Sequence, residues 1–383
     1  MYYFDNAATT YPKPSEVYDF ADSFYRSTGV NVSRGQYKEA SIAANLVSET
    51  RELLLNLLHC NSSKDVVFTP SATIAINTIL NGIKWKDGDI VYITCFEHNA
   101  VRRTLNHIAE TININIRHLK PNKKTLEYNL EEIACEFNLN KPKYLILNHA
   151  SNVFGLITPI EDIIKLAKKY NAVSIVDMAQ TAGLIDTNLI TAQVDYAIFA
   201  GHKTLYAPFG IAGFVIDKTS ALPPYIYGGN GVESMSLRMP EQIPERFESG
   251  SLNIYAIAGL NAALKWLKNT GINNIRDKEI ETTESLLKIL RAYSNISLIK
   301  TNNINNQIGI ISCTFDSYSS DSIGKILSDQ NIAVRTGIHC SPDAHDFLGT
   351  SPAGTVRFSV SYFTSQEDLF VLKNALDYIY NNL

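Results

Sequence analysis

Two residues near the middle of the chain, Asp177 and Lys203, have the types and spacing for cofactor chemistry. Each follows a short apolar run. The first is Val173-Ser174-Ile175-Val176-Asp177; the second, Val194-Asp195-Tyr196-Ala197-Ile198-Phe199-Ala200, breaks into Gly201-His202-Lys203. Such runs read as buried strands of a parallel sheet. Ligands of open α/β sheets sit just beyond the carboxyl ends of their strands. An acid at one strand end and a lysine at the next therefore face one ligand from two sides. A carboxylate for a ring nitrogen and an amine for an aldehyde are what pyridoxal phosphate (PLP) requires. Each residue alone also has a plainer role, the Asp as a helix cap and the Lys as a solvated cation.

Further polar clusters fall at the same sheet edge. Glu97-His98-Asn99 follows a strand at residues 90–94, and His149-Ala150-Ser151-Asn152 follows one at 144–148. Thr69-Pro70-Ser71-Ala72-Thr73 lies between a strand and a helix. Free N–H groups and hydroxyls at that helix start form an anion site, with ordinary capping by Ser71 as the alternative. No GxGxxG motif follows the early strands, and Gly201-His202-Lys203-Thr204 lacks the glycine a P-loop needs before its lysine. In Arg335-Thr336-Gly337-Ile338-His339-Cys340-Ser341-Pro342 a thiol sits on a glycine-bearing turn. It reads as exposed, with a neighbouring His or Arg favouring its thiolate. His339, Cys340 and His345 are also metal-ligand types, but no partner cluster completes a site, and no metal is expected.

The elements that must position these residues alternate. Strands are expected at 66–69, 90–94, 114–119, 144–148, 173–177 and 196–200, and helices at 41–59, after Ser71, and at 160–170. This βαβ order implies a parallel or mostly parallel sheet covered on both faces. Beyond about residue 250 the style becomes α+β: helices at 254–268, within 275–293, near 321–330 and at 366–380, with strands at 309–314 and 355–360.

The chain has 383 residues, enough for two domains, and its 45% hydrophobic and 19% charged residues are those of a globular protein. A formal charge of −4 gives no reason to expect nucleic acid or an anionic membrane as partner. The start lacks a basic region followed by an apolar signal core, so the cytoplasm is the expected compartment. The five cysteines are scattered without a CxxC pair, which argues against a disulfide framework.

Taken with Asp5-Asn6-Ala7-Ala8-Thr9-Thr10, Asp177-Met178-Ala179-Gln180 and Glu248-Ser249-Gly250-Ser251, these segments resemble the cysteine desulfurases of the class V aminotransferase group. The short cysteine-bearing segment is similar to the Suf-type branch, which includes selenocysteine lyases. The resemblance implies an α/β, fold-type I PLP-dependent transferase. Its large domain, residues 15–255, would hold a mostly parallel seven-stranded sheet. Residues 1–14 and 256–383 would form a smaller α+β domain carrying the cysteine.

The resemblance also implies roles. Lys203 would carry the cofactor aldehyde and move the Cα proton, Asp177 would keep the ring nitrogen protonated, Gln180 would bond the ring oxygen, and His98 would stack on the ring. Ser71, Ala72, Thr73 and His202 would surround the phosphate, joined by Ser251 from the partner of a homodimer. Asn152 and Arg357 would bind the carboxylate of L-cysteine, an Arg fork suiting that task. Cys340 would take the sulfur as a persulfide and hand it to an acceptor protein. Selenocysteine or another C–S substrate on the same scaffold is the alternative; a non-catalytic sulfur carrier is a reading of another class.

The chain departs from the family in places. Ala200 replaces a usual Ser or Thr, and loss of one phosphate hydrogen bond costs about 1.5–3 kcal/mol of PLP binding. Ser251 stands for Thr and keeps the hydroxyl. Ser341 and Asp343 stand for Ala and Leu, and the Asp343 charge is expected to raise the Cys340 pKa.

Overall fold

The computed structural model describes residues 1–32 and 35–382. Among these, the apolar runs form a seven-stranded sheet. Its spatial order is Lys64–Thr69, Ala212–Asp217, Tyr196–Ala200, Val173–Asp177, Tyr144–Asn148, Ile90–Thr94, Asn115–Leu119. Neighbours pair in parallel except Ala212–Asp217, which is antiparallel to both of its neighbours. The sequence reading lacks that strand because Gly213 interrupts it. The glycine is needed there: a β-carbon would lie 2.1 Å from the carbonyl oxygen of Val67 on the paired strand.

Alternation with a period of two sends side chains to both faces. Ile146, Ile175 and Ile198 pack with Ile76 and Ile79 of the Ala72–Gly82 helix and Val101 and Leu105 of the Asn99–Ala109 helix. Leu145, Leu147, Val176 and Phe199 pack on the other face with Ile163 of the Ile160–Lys168 helix and Ile257 and Leu260 of the Ile254–Thr270 helix. The central strands are thus buried on two sides, as their apolar runs require, while the edge strand Asn115–Leu119 is partly exposed. The expected helix at 41–59 spans Lys38–Leu57.

A second, antiparallel sheet runs Arg335–Gly337, Thr355–Ser359, Ile310–Phe315, Ile296–Ile299. Its separate core joins Phe4 to Leu286, Ile311, Phe358 and Leu372, so both ends of the chain contribute to it. The N-terminal segment enters by pairing Tyr2 and Tyr3 in parallel with Ile332 and Ala333. The boundary expected at residue 255 falls at the start of a helix whose buried face joins the large core. No helix among the described residues is long and apolar enough to cross a membrane.

Candidate active site

A cavity of about 240 Å³ opens where the large sheet's carboxyl ends meet the second sheet. Lys203, Cys340, His98, Ser71, Ala72, Thr73, Asn152, Asp177, Gln180, His202 and Arg357 all line it.

Asp177 ends its buried strand and is 4% exposed. Its Oδ1 accepts from Ala179 N at 2.9 Å, capping a turn rather than a helix. The turn bond thus engages one carboxylate oxygen of a residue that also lines the cavity. Burial pushes the Lys203 ammonium down to about 8, against the opposing pull of Asp177. The main chain of this turn is tied to the N-terminal segment: Thr9 Oγ1 and Thr10 Oγ1 donate to the carbonyls of His202 and Lys203 at 2.9 and 3.0 Å.

At one end of the cavity, Ser71 caps the Ala72–Gly82 helix, its Oγ accepting from Ile74 N at 3.3 Å. This leaves the first-turn N–H groups of Ala72 and Thr73 without intrahelical acceptors. The His202 ring stacks on Phe209 with centroids 4.7 Å apart, and its buried Nδ1 has no partner. Burial first, then the charges of Lys203 and Lys13, lowers its pKa to about 4, so the ring is neutral at pH 7. Ala200 lines the same cavity and offers no hydroxyl.

His98 caps the next helix: its Nδ1 accepts from Ala100 N at 3.1 Å, which assigns the proton of the neutral ring to Nε2. Burial, reinforced by Lys203, lowers its pKa. Gln180 is fixed by donation to Ala7 O at 2.9 Å.

Cys340 is half-buried against the cavity rather than freely exposed. It and His339 adopt φ of 58° and 51°, the left-handed region. Three contacts hold the turn. Asn99 N donates to Cys340 O at 2.7 Å, Asn152 Nδ2 to His339 O at 2.7 Å, and Ser341 Oγ to Glu97 O at 3.0 Å. His339 does not supply the expected cation. Its Nε2 engages Thr355 Oγ1 at 2.9 Å, and burial followed by the Arg357 charge holds its pKa far below the usual range. The cations at this end are Arg335 and Arg357, both of which line the cavity. The Asp343 carboxylate is paired with Arg102 at 2.5 Å.

Arg357 is 2% exposed. Its Nη2 donates to Asp5 Oδ1 at 2.6 Å and its Nη1 to Asn152 O at 2.9 Å, while Nε is buried without a partner. Asn152 Oδ1 is also buried and unpaired. Sequence reasoning misses Asp5 and Arg335 in these roles. The Asp5 segment belongs to the family resemblance, but nothing in the sequence ties it to Arg357.

Ser251 is not brought to this cavity within the chain; its Oγ accepts from Asn31 Nδ2 at 3.2 Å. Two polar residues singled out by position serve the scaffold. Glu97 Oε1 accepts from Thr94 Oγ1 at 2.7 Å and Asn148 N at 2.7 Å, and His149 Nδ1 lies 2.9 Å from Thr181 Oγ1. Glu248 belongs with them, bonded to Arg51 and Phe68 N.

The donor set fits PLP. A buried acid, a depressed lysine and an open helix start share one cavity with the unpaired Nδ1 of His202 and Nε of Arg357. The Aminotransferase class-V family profile matches residues 2–372. The probable cysteine desulfurase of Borreliella burgdorferi is 31% identical over 381 residues, covering 96% of this chain and 89% of that protein. That of Haemophilus influenzae is 32% identical over 386 residues, covering 98% and 85%. The apo cysteine desulfurase structure from Thermococcus onnurineus superposes with a TM-score of 0.91 at 26% identity, covering 100% of this chain and 95% of that one. The chain belongs to the class V aminotransferase family, in the group whose members are named cysteine desulfurases.

Proposed function

We propose that the protein is a PLP-dependent cysteine desulfurase that takes sulfur from L-cysteine, leaves L-alanine and holds the sulfur as a persulfide on Cys340. The observation that carries the reading is the convergence of Asp177, Lys203 and Cys340 on one cavity. When bound, PLP supplies an electron sink for the substrate's Cα electrons.

The chain's own groups do the rest. Asp177, anchored by Ala179 N, would face the ring nitrogen and favour its protonated form. The Ala72–Gly82 helix start and neutral His202 would hold the phosphate. Arg357 takes the substrate carboxylate, with Asn152 bracing its guanidinium through a main-chain carbonyl. Lys203, its amine eased toward neutrality by burial, moves the Cα proton. Cys340 Sγ forms a bond to the substrate sulfur as the carbon–sulfur bond breaks. The electron pair of that bond stays with carbon, which then takes a proton. Ser251, outside this cavity, serves the partner's site in a homodimer, and the persulfide passes to an acceptor protein in the cytoplasm.

The test is alanine and sulfide release from L-cysteine by PLP-loaded protein under a thiol reductant. Equal release, lost in Cys340→Ser, is the expected result. Release that persists in Cys340→Ser would identify a C–S lyase that does not use this thiol. PLP binding with neither product would end the cysteine reading.

A further inference from the structure

Asp343 lies three residues beyond Cys340, in the first turn of the short Pro342–Leu348 helix. Its Oδ2 stands 2.5 Å from Nε of Arg102, a charge pairing without hydrogen-bond geometry, and 3.8 Å from Nδ1 of His118. The two side chains of the closer pair keep only 26% and 21% of their surface, so the pair is shielded well beyond an ordinary surface ion pair. Arg102 sits in the first turn of the Asn99–Ala109 helix, its N–H bonded to the carbonyl of His98. That helix start also donates from Asn99 N to the carbonyl of Cys340. The ion pair therefore closes a ring of contacts that includes both His98 and Cys340, two residues on the cavity wall.

The turn needs holding. Cys340 and His339 carry β-carbons at φ of 58° and 51°, a conformation that persists only where surrounding contacts impose it. In the same short helix Phe347 meets Phe96 edge to face at 5.7 Å, and Ala344 is fully buried, which seats the helix on its inner side. The ion pair to the neighbouring helix adds a charged contact on the outer side, beyond the three hydrogen bonds that hold the turn.

We propose that Arg102 and Asp343 form a clip that fixes Cys340 against the cavity, making both of them positioning residues for sulfur transfer. This rests on the reading of Cys340 as the sulfur-accepting thiol. A leucine at position 343, usual in the family this chain resembles, makes no such pair, so the clip belongs to this chain rather than to the scaffold.

The test compares Asp343→Asn, Arg102→Gln and the charge exchange R102D/D343R with the parent, all as PLP-loaded protein. Each single variant is expected to lower kcat for alanine release about tenfold, since displacing a reacting group by about 1 Å costs up to about a hundredfold. KM for L-cysteine and the PLP absorbance band stay as in the parent. Alkylation of Cys340 by iodoacetamide, followed by mass spectrometry, speeds up several-fold in the single variants as the turn is released. The exchange variant recovers most of both values, which a loss of general stability would not allow. Unchanged alkylation rates in the single variants, with melting temperature preserved, would overturn the clip. Alkylation needs no turnover, so it tests the clip even if the protein releases no alanine from L-cysteine. A fall in kcat matched by a rise in KM and loss of the PLP band would also overturn it, showing general damage to the cavity.

Discussion

Asp5 and Arg357 meet at 2.6 Å across 352 residues of sequence, and the meeting aims a buried guanidinium at the cavity. The carboxylate keeps a fifth of its surface while the arginine keeps 2%. Asp5→Asn preserves shape and removes the charge. It is expected to cost about 2–3 kcal/mol of stability, as an arginine left buried without its counter-charge does. KM for L-cysteine should rise about tenfold with a smaller change in kcat, because the lost element is carboxylate orientation. Steady-state kinetics and a melting curve decide it. An unchanged KM would mean that Asn152 O alone holds the arginine's aim.

Cofactor loading should titrate with Lys203. Burial pushes this amine from 10.5 to about 8, so it is protonated below that pH and neutral above it. Only the neutral amine attacks an aldehyde. PLP uptake by cofactor-free protein should therefore accelerate as pH rises through about 8 and level off about one unit higher. Absorbance-monitored reconstitution across this range is the measurement. A rate still climbing near 10.5 would show an ordinary lysine.

Gly354 occupies φ of 71°, and a β-carbon there would lie 2.4–2.6 Å from three main-chain atoms of Gly337. These glycines pack the strand that carries Arg357 against the turn that carries Cys340. Gly354→Ala should lower stability by about 2–4 kcal/mol, combining left-handed strain with overpacking. Cys340 should become more reactive toward iodoacetamide in the same variant. A melting temperature equal to the parent's would show that the two segments separate without cost.

Asp177, Lys203 and His98 are legible in the sequence because an apolar run that stops abruptly marks both a buried strand and the edge where ligands bind. The partner choices are not. Asp5 with Arg357, and Asp343 with Arg102, are set by tertiary approach, and neither residue carries a local pattern naming its mate. The neutrality of His339 has no signal either, since it comes from burial and a nearby arginine. The strands Ala212–Asp217 and Arg335–Gly337 escape because glycines break their apolar or β-branched runs. Ser251 lies outside this cavity, so one chain by itself gives it no partner there.

The N-terminal segment has a consequence for the order in which the site is made. Ala7 N bonds to Ser359 Oγ, Asn6 Nδ2 to Ser359 O, and Thr9 and Thr10 to the lysine turn. The last strand of the large sheet ends at Asp217, well before Arg357. On the ribosome, the large sheet's strands and Lys203 are thus available while Cys340 and Arg357 are still unmade. The cavity residues nearest the N-terminus wait for Cys340 and Arg357. The cavity wall is therefore completed only well after the large sheet's strands have been made, and it stands open on that side until then.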